Sequence, residues 1–250
     1  MWLFQLVMKL IISILFFVGI LGTGIAQQRK NPEDIKLYYR SSVAYGFYLH
    51  TAGFGGSFKY QRHASYKDKR FYLLEFQNLK HPKEEKIKNG FEDNSKSYYY
   101  GKINALTNLR LGIGSQHAFA MKEIKKGVQI AYVYSGGVSL GFQKPIYLDI
   151  YSVSGRTETK RYDPEIHSYS VIAGRASFVN GISEIELVPG IFGKFGLNFE
   201  YSPYDNKLKA LEVGVAVDLF YKEVPLMYSS YNNQYWVTFY LMFEFGKKIE

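Results

Sequence analysis

Five histidines, His50, His63, His81, His117 and His167, are the side chains best suited to proton transfer at neutral pH. Two of them have serines nearby in the chain, Ser57 for His50 and Ser115 for His117. A histidine beside a serine and an acid is the constellation used for hydrolysis or acyl transfer, but neither spacing is diagnostic by itself. His167 follows Asp163 at helical spacing, a pair of donors without the further ligands a metal site requires. The absence of cysteine removes thiolate nucleophiles, Cys-ligated metals, disulfides and a cysteine-anchored lipoprotein. The glycine-rich stretches lie inside strand-like segments, so no phosphate-cradling loop is expected. No catalytic, cofactor or metal site emerges, and the chain reads as a non-enzyme. The alternative is a barrel hydrolase or acyltransferase acting on lipid A or phospholipid.

The elements that would position these groups are strands. In residues 235–245, Tyr235, Val237, Phe239, Leu241, Phe243 and Phe245 share one face, and Thr238, Tyr240 and Glu244 lie on the other. About ten residues with one wholly apolar, aromatic-ended face is enough to cross a hydrocarbon core at a tilt. A soluble sandwich would alternate in the same way, and the start of the chain argues against it. An apolar run from Leu10 to Leu21, preceded by Lys9 and followed by Gly24-Ile25-Ala26, reads as a signal peptide over 1–26 cleaved before Gln27. A start at Met8 would give that leader a conventional basic beginning. Residues 27–250 then form one domain at the cell outer membrane.

Composition agrees. The chain holds 23 Tyr, 19 Phe and 23 Gly against 7 Pro, and no apolar stretch after residue 26 is long enough for a spanning helix. The formal charge of +9 falls to +8 with the loss of Lys9 and is spread along the turns, which speaks against nucleic acid as a partner.

Eight strands are expected, over 45–60, 70–78, 106–116, 128–142, 146–151, 191–201, 211–221 and 235–245. The first is broken by Gly53, Gly55 and Gly56, which suggests a bulge or a sharp corner. The fold class is all-β, an eight-stranded antiparallel transmembrane β-barrel with a short helix in one long loop. The alternation puts Glu75, Arg110, Asp149, Lys194, Glu200, Glu212, Asp218 and Glu244 in the lumen, where charges of both signs must pair. A diffusion porin needs about 16 strands, so a cross-linked plug is the better expectation.

If the first strand rises from the periplasm, 61–69, 122–127, 152–189 and 222–234 are outer connections, and 79–104, 141–145 and 202–207 inner ones. A long inner connection is unusual. It makes Lys80, His81, Pro82, Lys83 and Glu84, with Tyr98, Tyr99, Tyr100 and Lys102, a candidate periplasmic contact surface; the alternative is a miscounted strand and an ordinary outer loop. In 152–189, Asp163-Pro164-Glu165 is a helix-start signal. Ile166, Tyr169, Ile172, Ala173 and Ala176 follow at helical spacing, predicting an amphipathic helix over 164–176 whose Ile166 and Tyr169 meet an outer partner. Arg156, Lys160, Arg161 and Arg175 nearby are candidates for lipopolysaccharide phosphates.

The blocks Ala26-Gln27-Gln28, Lys80-His81-Pro82-Lys83-Glu84, Tyr100-Gly101-Lys102-Ile103-Asn104, Gly136-Gly137-Val138-Ser139-Leu140-Gly141 with Lys144-Pro145, and the aromatic last strand resemble the small exported barrel proteins of the Bacteroidota. The resemblance implies an outer-membrane location and membership of a larger assembly, an insertion or secretion machine, and it transfers no catalytic residue. The lysines after Phe245 depart from barrels that end on an aromatic. The expected function is that of a scaffold or accessory subunit, with membrane lipid, lipopolysaccharide and other outer-membrane or periplasmic proteins as partners, and no cofactor. A small free-standing channel is the remaining alternative.

Overall fold

The computed structural model describes residues 40–249 except 66, 89–95, 122–126, 153–155, 203–205 and 229–231. The chain divides into two units, Met1–Lys36 and Leu37–Glu250. The first, with the expected leader over 1–26, lies outside the described residues.

Alternation of apolar and polar side chains produces long strands. In chain order these are β1 (Ser41–His50), β2 (Gly53–His63), β3 (Asp68–Leu79), the short β4 (Lys86–Ile87) and β5 (Tyr98–Tyr99), then β6 (Asn104–Ala120) and β7 (Gln129–Pro145). They continue with β8 (Tyr147–Tyr151), β9 (Thr157–Arg161), β10 (Ile172–Arg175), β11 (Glu186–Glu200), β12 (Lys207–Phe220) and β13 (Tyr235–Ile249). Eight of them, in the order β1-β13-β12-β11-β7-β6-β3-β2, close an antiparallel barrel. β1 meets β13 from Ser41 opposite Ile249 to His50 opposite Tyr240, so the barrel sheet has no open edge.

The wall is apolar on the outside and charged on the inside. On β13, Tyr235, Val237, Phe239, Phe243 and Phe245 are exposed, while Thr238, Met242 and Glu244 are buried in the lumen. The outward stripe spans about 33 Å along the strand, or about 25 Å of height at a tilt near 40°, which matches a hydrocarbon slab. An exposed apolar band of this size in water would cost far more than folding returns. Lipid is the solvent that this wall fits.

The expected number of strands holds through two errors that cancel. Residues 45–60 are not one bulged strand but the hairpin β1–β2, turning at 51–52. The turn lacks an Asn-Gly or Asp-Gly signal and depends on Gly53, whose φ is +149° and whose Cβ would lie 2.4 Å from the Asn78 carbonyl oxygen. Conversely, residues 146–151 leave the barrel. Proline interrupts a ladder because it has no amide to donate, and immediately after Pro145, β8 joins the separate three-stranded sheet β10-β8-β9.

These corrections reassign the connections. Ser41 and Ile249 mark one end of the barrel, the terminal end, which also carries 64–67, 121–128 and 201–206. The opposite, loop end carries 51–52, 80–103, 146–185 and 221–234. Residues 79–104 are therefore a loop-end connection on the same side as 152–189, not an inner one, and 61–69 and 122–127 belong to the terminal end.

The helix expected over 164–176 is also revised. The Asp163-Pro164-Glu165 signal makes a single turn, in which the His167 amide donates to the Asp163 carbonyl at 2.8 Å and the Glu165 amide to the Asp163 side chain at 3.0 Å. A 3₁₀ turn follows over Tyr169–Val171, and then β10, with a second 3₁₀ turn over Ile182–Glu184. The β-branched Val171-Ile172 suits a strand. Gly174 admits close backbone approach, since a Cβ there would come within 2.8 Å of the Lys96 carbonyl oxygen.

Candidate functional site

The lumen is filled by three stacked layers. At the loop end Leu79, Leu106, Val188 and Phe220 point inward and meet Val224 and Leu226 from the β12–β13 connection. That connection is laced across the mouth. The Ile103 amide donates to the Leu226 carbonyl at 2.9 Å, the Asn104 side-chain amide to the Pro225 carbonyl at 2.7 Å, and the Tyr228 amide to the Gly101 carbonyl at 2.7 Å.

Below this apolar stopper lies the ionic layer. Arg110 donates through Nε to Asp218 at 2.8 Å and through a terminal nitrogen to Glu75 at 2.9 Å, with a second short ion pair to Asp218. Asn108 donates to Asp218 at 2.9 Å. Lys194 pairs with the other oxygen of Glu75, and its ammonium lies 4.4 Å from the centre of the Tyr240 ring. Lys59 bridges Glu212 at 2.7 Å and Glu244 at 2.5 Å. Tyr240 donates to Glu212 at 2.9 Å and Asn198 to Glu244 at 2.7 Å.

At the terminal mouth Glu200 holds Lys69 at 3.0 Å and Lys248 at 2.5 Å. In the two charged layers the cations Lys59, Lys69, Arg110, Lys194 and Lys248 face the anions Glu75, Glu200, Glu212, Asp218 and Glu244, each in an ion pair. Such groups persist in a buried interior only because their partners are fixed in place. The purified barrel is accordingly expected to give no reproducible single-channel conductance in planar bilayers; stable unitary steps would contradict the plug.

Seven of the eight expected lumen residues are there. The exception is Asp149, carried out of the barrel with β8, where it accepts from the Thr159 hydroxyl at 2.6 Å. Lys59 and Lys69 were missed. Lys59 lay in a segment read as one irregular strand, and Lys69 in a segment read as a turn. Once the hairpin is seen, parity alone sets Ser57, Lys59 and Gln61 inward against outward Phe58 and Tyr60.

Above the loop end sits a folded cap. The ribbon β4–β5 and the sheet β10-β8-β9 share a core of Tyr98, Leu148, Ile150, Tyr162 and Ile172, with Ile87, Ile103, Ile146 and Val171 packed against it. The two contact segments expected on opposite rims are thus joined in one cap. Tyr98 is an interior residue, not a contact surface, and burial pushes its phenol up to about 12. Tyr100 and Tyr169 are both 43% exposed, with ring centres 6.4 Å apart, and the Tyr169 hydroxyl donates to the Lys88 carbonyl. Ile166 is 73% exposed.

Lys102 is buried beneath the cap. Its ammonium is 2.5 Å from Glu84 and 5.0 Å from the Tyr99 ring centre, and burial holds it below the usual lysine value. Lys80 is exposed, with its amide donating to the Ala52 carbonyl at 2.7 Å, and Pro82 lies exposed in the next turn. In that turn the His81 amide donates to Glu84 at 3.0 Å and the His81 Nδ1 accepts from the Lys83 amide at 3.1 Å.

Burial, and after it Lys83, holds His81 below its ordinary 6.5, with Glu84 pulling the other way. The unfolded segment then binds the proton more readily, so this contribution to stability is complete above the ordinary pKa and is lost as pH falls below it. Hydrogen exchange at the Lys83 amide, corrected for its intrinsic rate, should quicken below about pH 6.5. It should do so in the parent but not in His81→Gln; identical profiles would remove His81 as the cause.

The histidine–serine pairs do not assemble. His50 is opposite Gly53 and Ser57 opposite Gly46, far apart on the lumen wall, and Ser57 donates to the Met242 sulfur at 3.1 Å. His117 and Ser115 share the outer face. His117 Nδ1 lies 2.6 Å from Asp68, but Ser115 donates to the Lys69 carbonyl at 3.3 Å. His167 Nδ1 accepts from the Asp163 amide at 3.0 Å. No group of three or more metal-ligating side chains occurs among the described residues.

No protein-family model matches the chain. No curated protein matches it either. Among solved structures it is similar to small outer-membrane barrels. Ail, the attachment invasion locus protein of Yersinia pestis, solved with the heparin analogue sucrose octasulfate, is 10% identical over 84% of this chain and 97% of its own, with a TM-score of 0.38. A major outer membrane protein from Thermus thermophilus is 12% identical over 84% and 99%, with a TM-score of 0.42. Neisserial surface protein A is 8% identical over 84% and 97%, with a TM-score of 0.36. These likenesses are distant, and the closed ladder itself establishes the barrel.

Proposed function

We propose that the protein is a plugged barrel of the bacterial outer membrane that works as a scaffold, an accessory subunit of an outer-membrane assembly or secretion complex. On this reading it belongs with the small exported barrels of the Bacteroidota, and its partners bind the cap. The inside-out wall supports a lipid setting, because strands can cross a bilayer only as a closed barrel. With the terminal end in the periplasm, the cap faces outward.

The observation that carries the reading is that the loop-end connections fold into two small sheets around their own buried core. A loop that only covers a plugged lumen has no need of an interior, whereas a docking platform must hold its surface in one shape. Tyr100, Tyr169 and Ile166, exposed on that platform, are the types of side chain that anchor protein interfaces. The filled lumen disfavours the channel reading. The unassembled histidine–serine pairs disfavour the lipid-modifying one, for which a changed lipid A mass spectrum in a deletion strain would be the sign.

The test is recovery of the tagged protein from native outer membranes in mild detergent. Stoichiometric recovery with an insertion or secretion core would name the machine. Recovery alone would end the scaffold reading.

A further inference from the structure

The outer wall at the terminal end carries positive charge that its own contacts leave unbalanced. Outward-facing Arg62 on β2 stands directly opposite outward-facing Arg70 on β3. Like charges in that position repel, and neither guanidinium has an ion-pair partner among the described residues. Asp68, the outward carboxylate beside them, is already engaged by His117 at 2.6 Å. Arg40 is held next to this pair by its backbone, donating to the Ile249 carbonyl at 3.2 Å and accepting from the His63 amide at 2.9 Å. Arg40, Ser41, Tyr60, Arg62 and His63 together line a pocket of about 430 Å³.

One step toward the middle of the membrane, the same face becomes apolar, with Tyr45, Phe58 and Tyr72 exposed. Tyr60 belongs both to the pocket and to this aromatic band. We propose that the rim is a binding site for the phosphate headgroup of an anionic phospholipid in the terminal-end leaflet. Arg40, Arg62 and Arg70 hold the phosphate, and the acyl chains run along Tyr45, Phe58 and Tyr72. Guanidinium groups suit phosphate through paired N–H donors, and an anion between Arg62 and Arg70 removes their repulsion. The continuity of the pocket with the lipid-facing wall selects a lipid over a free anion.

The inference rests on the reading of the barrel as membrane-embedded, and insertion is scored separately by the mobility shift on heating. The full protein is reconstituted into phosphatidylcholine vesicles containing spin-labelled phosphatidylglycerol or spin-labelled phosphatidylcholine, and the fraction of each held at the protein is read from the spectra. The parent is expected to favour phosphatidylglycerol by about fivefold, the effect of a surface cation on an anionic lipid. Arg62→Gln with Arg70→Gln should remove that preference, and Lys222→Gln at the loop end should not. Equal association of the two lipids with an inserted parent protein would overturn the site, as would full preference in the double variant. Displacement of the labelled lipid by inorganic phosphate would assign the arginines to a free anion instead and overturn it too.

Discussion

Replacing Arg110 with methionine should strongly destabilise the barrel. Arg110 is the hub between Glu75 and Asp218, and all three side chains are at most 1% exposed. Among the described residues, removing the cation leaves Asp218 with neutral donors such as Asn108 and leaves Glu75 with Lys194. Breaking a buried pair from one side costs about 3–5 kcal/mol, a large part of the 5–15 kcal/mol that holds a typical domain together. The expected result is a protein that refolds poorly into detergent, loses its heat-dependent gel shift, and has a urea midpoint well below the parent's. Adding Asp218→Asn should recover most of the loss, because Glu75 keeps Lys194 and the orphaned carboxylate is gone. If Arg110→Met were as stable as the parent, the ionic layer would not be a structural plug.

The second large effect lies in the cap. Tyr98→Ala removes a ring that is 1% exposed at the centre of the cap core and should cost about 3–5 kcal/mol there. The barrel is built from other strands and should stay inserted. Limited trypsinolysis is then expected to cut the variant at lysines of the cap such as Lys83 and Lys86, with the heat-dependent shift retained. Tyr98→Phe is the informative partner. The Tyr98 hydroxyl is buried without a hydrogen-bond partner among the described residues, so deleting the oxygen should leave the cap as resistant as the parent or more so. Equal sensitivity of the Ala and Phe variants would show that the ring does not organise the cap.

How much of this could be read from the residues depends on the period of the signal. Period-two alternation is strong wherever each face has one solvent, so 191–201, 211–221 and 235–245 were legible, together with Lys194, Glu200, Glu212, Asp218 and Glu244 inside. The hairpin at 51–52 was not, because its turn rests on the backbone freedom of Gly53 and on a close approach to Asn78, neither of which has a motif. Nor was the departure of β8, since Tyr147–Tyr151 alternates as well as a barrel strand does and only its pairing differs. One strand too few and one too many left the total intact but moved residues 79–104 to the other end of the molecule. The helix expected over 164–176 failed for a related reason. Its start signal made one turn, and pairing with β8 then claimed Ile172–Arg175. Burial of Tyr98 and the pairing of Lys102 with Glu84 are tertiary facts that spacing does not encode.

Docking at the cap is tested most directly by exchanging residues 80–103 for a short turn and comparing parent and variant in the same detergent recovery from native outer membranes. The variant should insert, keep its heat-dependent shift and come out without the partners that accompany the parent in stoichiometric amount. An inserted variant that still carries those partners would contradict docking at the cap, and a variant that no longer inserts would make the segment part of the barrel's own folding rather than a platform built upon it.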